Sequence, residues 1–104
     1  MEVKQIKQEL SQVEQIIGRA LQALKNDDAA PRELTESVKE LDGHARKAKQ
    51  SQDERILVQC VEDMEAASDR ARDAVERTIK IDAQTRSAVL EAHNKLSSLK
   101  HQLH

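Results

Sequence analysis

Four histidines and a single cysteine are the residues of this 104-residue chain best suited to nucleophilic, acid–base or metal chemistry. His44 has the most suggestive surroundings. In Asp42-Gly43-His44-Ala45-Arg46-Lys47-Ala48 a helical histidine has small neighbours and a lysine one turn further on, so an imidazole-bound phosphoryl group would meet a cation. His101 and His104 have the i, i+3 spacing of two metal ligands, and His93 falls roughly on their face. No Cys or Asp shares that turn and a terminal turn frays, so no metal site is expected and these histidines read as solvated or as complements to the helix dipole. Cys60 lies on an apolar stripe with Glu62, Asp63 and Glu65 close in sequence. Carboxylates near a thiol disfavour the thiolate, so a buried, inert cysteine is expected. No nucleophile signature joins Ser, His and Asp, and the only glycines, Gly18 and Gly43, make no phosphate loop. The expectation is a non-enzymatic protein without catalytic residues or cofactor.

The His44 stretch resembles the histidine phosphotransfer domains, in which an exposed helical histidine is followed three positions later by lysine and then by a small residue. His44, Lys47 and Ala48 occupy those positions, while Arg46 stands where the family usually has an apolar residue and Ala48 where it has glycine. The resemblance implies His44 as phosphoacceptor and Lys47 as the phosphate's partner. Read from the residues alone, His44, Arg46, Lys47 and Lys49 are a solvated basic patch that complements the negative end of a helix. Arg46, Lys47 and Lys49 could also dock a polyanion weakly. The chain has no Phe, Tyr or Trp, so no aromatic face exists for base stacking, and nucleic acid is not the expected partner.

The elements that must carry these residues are written in the apolar spacing. Val3, Ile6, Leu10, Val13, Ile17, Ala20 and Leu24 alternate by threes and fours, and Ile16 and Leu21 widen the stripe to face two neighbours. This predicts a helix over 2–25, ended by Asn26-Asp27-Asp28, whose side chains favour turns. Pro31 reads as the first residue of a second helix over 31–49, with Leu34, Val38, Leu41, Ala45 and Ala48 inside and Gly43 tolerated within it. Ser51 and Glu54 match a capping box that starts a third helix over 52–79, through Leu57, Cys60, Val61, Met64, Ala67, Ala71, Ala74 and Val75. Thr78, Ile79 and Ile81 weaken that helix, and Asp82 is placed to cap a fourth over 83–103 along Val89, Ala92, Leu96, Leu99 and Leu103.

Short connections make neighbours antiparallel. The expected fold is therefore a single-domain, all-α, antiparallel up-down bundle of four helices over 1–104, or three if the last two are continuous. Its aliphatic core would be thin, and dimerisation would relieve that. The net charge of −2 with interspersed signs excludes a strong global field. One cysteine, no exported leader and no long apolar run point to a cytoplasmic protein away from the membrane. Ile56, Val58, Ile79 and Leu90 fall off the stripes, and Val58 and Leu90 are the expected exposed apolar contacts. The function expected is protein–protein interaction or regulation through an unidentified partner or a second copy, with histidine phosphotransfer and weak nucleic-acid association as alternatives.

Overall fold

The three-four spacing of Ile6, Leu10, Val13, Ile17 and Ala20 emerges as one buried face of a helix, and each later stripe does the same. In the computed structural model, which describes all 104 residues, these helices are α1 (Val3–Lys25), α2 (Arg32–Gln50), α3 (Glu54–Arg77) and α4 (Ala83–Leu103). The chain breaks between α3 and α4, so the four-helix form of the bundle is the one realised. Neighbours run antiparallel: Glu33 pairs with Arg77 and Glu40 with Arg70, so the numbering rises along α2 as it falls along α3. Each helix packs against two neighbours in a ring, α1 touches α3 thinly across the middle, and α2 does not reach α4. One contiguous aliphatic core draws on all four helices. The radius of gyration, 13.2 Å, matches the roughly 13 Å of a compact chain of this length.

Local chemistry moves three of the expected boundaries. Pro31 is the cap before α2, not its first residue: its ψ of 153° is extended, and its carbonyl accepts from the N–H groups of Leu34 and Thr35. Proline's fixed φ suits either position, and ψ decides between them. The Ser51–Glu54 capping box does not form. Asp53 caps α3 by accepting from Arg55 N–H at 2.9 Å, while Ser51 Oγ accepts from Asp53 N–H at 3.1 Å, so α3 starts at Glu54. At its other end α3 stops at Arg77, before the β-branched Thr78, whose hydroxyl donates back to the Ala74 carbonyl. Gly43 lies inside α2 with no positive φ, and Asp82 caps α4 by accepting from Gln84 N–H at 2.7 Å.

Two side chains tie the connections together. Asp27 Oδ1 accepts from Ala29 N–H at 3.0 Å within the first connection, and Oδ2 accepts from Asp82 N–H at 2.9 Å in the third. At the opposite end Lys7 Nζ donates to the carbonyls of Lys49 and Ser51, at 3.0 and 2.9 Å, where the negative end of α2 favours a cation. Ion pairs then close the ring. Glu14 of α1 meets Lys49 of α2, Glu33 and Glu40 of α2 meet arginines of α3, Glu65 of α3 meets Lys100 of α4, and Glu91 of α4 meets Arg19 of α1. In these pairs the acid sits on one helix and the base on the next around the ring. Only Lys95–Glu9 runs the other way. Exposed pairs contribute little stability singly, so their weight lies in selecting which flank meets which.

Candidate functional site

His44 and Lys47 face the α3 side of α2. His44 is half-buried and neither of its ring nitrogens has a hydrogen-bond partner, since only His93 and His104 make polar side-chain contacts. Lys47 is exposed and lines a shallow depression with Asp53, Arg55, Ile56 and Gln59. The basic triplet does not form one patch. Arg46 is paired with Asp42 at 3.1 Å, and Lys49 turns the other way to reach Glu14 of α1 at 3.5 Å. Helical geometry separates Lys47 and Lys49 by about 200°, and their flanks face different neighbours.

Cys60 is buried, as its stripe position required. Burial pushes its thiol above the ordinary value, the Lys47 charge pulls it down and Asp63 pushes it up, with burial the largest effect. His93 departs from expectation: it is 8% exposed rather than solvated, and its Nε2 lies 2.6 Å from Asp69 Oδ1 on α3. A carboxylate needs a donor, so Nε2 carries the proton. Ser97 Oγ lies 3.4 Å from the same Nε2. A Ser–His–Asp relay needs the acid and the hydroxyl on opposite ring nitrogens, so this trio ties α3 to α4 and does not activate Ser97. The signal was in the sequence, since His93 is four residues from Val89 and three from Leu96. His104 Nε2 meets Glu62 at 2.7 Å, His101 is exposed, and no group of three or more His, Cys, Asp or Glu is placed to hold a metal ion.

Val58 and Leu90 are half-buried, and the most exposed large apolar residues are instead Ile79 at 94%, Met1 and Ile56. The three form no single patch, because Ile79 sits in the connection at one end of the bundle and Met1 and Ile56 lie at the other. Leu90 has a different setting. With Ile16 it floors a groove along the α1–α4 seam, walled by Gln12 and Gln15 of α1 and by Ser87 and Asn94 of α4. Both floor residues stand outside the contiguous core. The groove's charges cancel in place: Arg19 pairs with Glu91 at 2.6 Å and Lys95 with Glu9 at 2.8 Å. What faces solvent is an amide- and hydroxyl-lined depression with an aliphatic floor and no unpaired charge.

The fold and this seam define the class: an all-α antiparallel four-helix bundle with a neutral groove between its first and last helices, and no helix long and apolar enough to cross a membrane. No protein-family model, no curated protein sequence and no solved structure matches the chain.

Proposed function

We propose that the protein is a non-catalytic interaction module that docks partners through the α1–α4 seam, in a cytoplasmic setting where the free Cys60 stays reduced. The seam carries the reading. On a chain in which over a third of residues are charged, it is a stretch of surface whose charges are all internally paired. A net-neutral surface of paired charges, amides and hydroxyls over an aliphatic floor costs less to cover than one that bears free charge. The test is capture from native lysate with the wild-type chain against Leu90→Lys, circular dichroism verifying that both are helical. A set of retained proteins, an endogenous second copy of the chain included, that is lost from Leu90→Lys supports the seam, and identical sets or an empty one refute it.

A second reading is favoured by the unpartnered nitrogens of His44 beside an exposed Lys47. It makes His44 a phosphoacceptor, expected to take an acid-labile label from a small phosphodonor or a phosphorylated receiver domain. Absence of that label from the wild-type chain, or its persistence in His44→Gln, ends this reading.

A further inference from the structure

We propose that the occupant of the α1–α4 face is the same face of a second copy, so that the protein is a twofold dimer; this rests on the reading of the seam as a docking surface. The helices divide sharply by charge. α1 carries six charged residues in 23 and α4 four in 21, whereas α2 carries nine in 19 and α3 eleven in 24. Four of these charges lie on the seam, and they neutralise one another across it as Arg19–Glu91 and Lys95–Glu9. A charged partner laid there would lose its water and meet no counter-charge. The chemistry that fits is amide, hydroxyl and aliphatic, which is what the face itself presents.

Amide side chains donate and accept at once, so a face of Gln12, Gln15 and Asn94 is complementary to its own rotated image. The α2–α3 side has less such freedom: its two helices carry twenty charged residues against ten on α1 and α4, so covering it would desolvate about twice as many ions. Size agrees as well. The molecule is 40 Å long and 17–22 Å across, so one broad side offers roughly 700–900 Å², near the ~800 Å² per partner of a standard interface.

Sedimentation velocity on the whole chain tests this, with three species. The wild type is expected to sediment as a dimer that dissociates on dilution. Gln12→Lys with Asn94→Lys, both exposed positions the fold tolerates, is expected to be monomeric and helical, as is Gln12→Glu with Asn94→Glu. Mixing the two variants is expected to restore the dimer, which mere misfolding would not do. A wild type that stays monomeric up to about 1 mM, or a dimer that survives in both charge variants, overturns the inference. A monomeric wild type that still captures other proteins through Leu90 overturns the second copy and leaves the docking reading standing.

Discussion

Nε2 of His93 is held by Asp69 inside a nearly closed α3–α4 seam, and the two partners are not equally replaceable. Removing Asp69 strands a buried N–H, which costs about 1–3 kcal/mol; replacing His93 by leucine fills its space and leaves Asp69, which is also within reach of Arg72, free to hydrate. Asp69→Ala is therefore expected to lower the denaturant midpoint more than His93→Leu does. Cys60 makes a pH prediction. Its thiol is raised in the folded chain, so on raising pH the unfolded chain loses its proton first, and the Cys60 contribution, complete below the ordinary thiol value, is lost as pH rises through the folded one. Between about pH 8 and pH 10 the melting temperature of wild type should fall more steeply than that of Cys60→Ala. The burial of Cys60 was legible because a single stripe states it. The Asp69–His93 tie was not, because it depends on how two helices register.

At the scale of elements, periodicity gave every helix and capping chemistry blurred the ends. Ser51 and Asp53 both offer an oxygen to the same turn, and spacing alone does not say that the carboxylate takes the cap. Gly18 and Gly43 both lie within helices without positive φ, and a methyl group at either would meet no atom within 4 Å. Alanine at either is expected to add about 0.5–1 kcal/mol by removing unfolded-state freedom, read as a raised unfolding midpoint. Asp27 makes the opposite case. Its two oxygens tie the first connection to the third, so Asp27→Ala should lower stability by about 1–2 kcal/mol and speed amide exchange at Ala29 and Asp82 together.

For the whole molecule, the apolar stripes specified the layers and the short connections specified the directions. The seam groove lay beyond both. Leu90 drew notice as an apolar residue off its stripe, but its neighbours Gln12 and Ile16 are more than 70 positions away, and only ring closure between α1 and α4 brings them together. That closure has a consequence for connectivity. The Glu91–Arg19 pair joins α4 back to α1 as ion pairs join sequential helices, and the reversed Lys95–Glu9 pair adds to it, so the order of helices is held by their surfaces as well as by the chain that links them. A rewired gene product should therefore find the same bundle. Joining His104 to Met1 by a short flexible linker and opening the chain between Ser51 and Asp53 is expected to preserve the core and the seam, giving up the Lys7 staple and the Ser51–Asp53 bond at the cut.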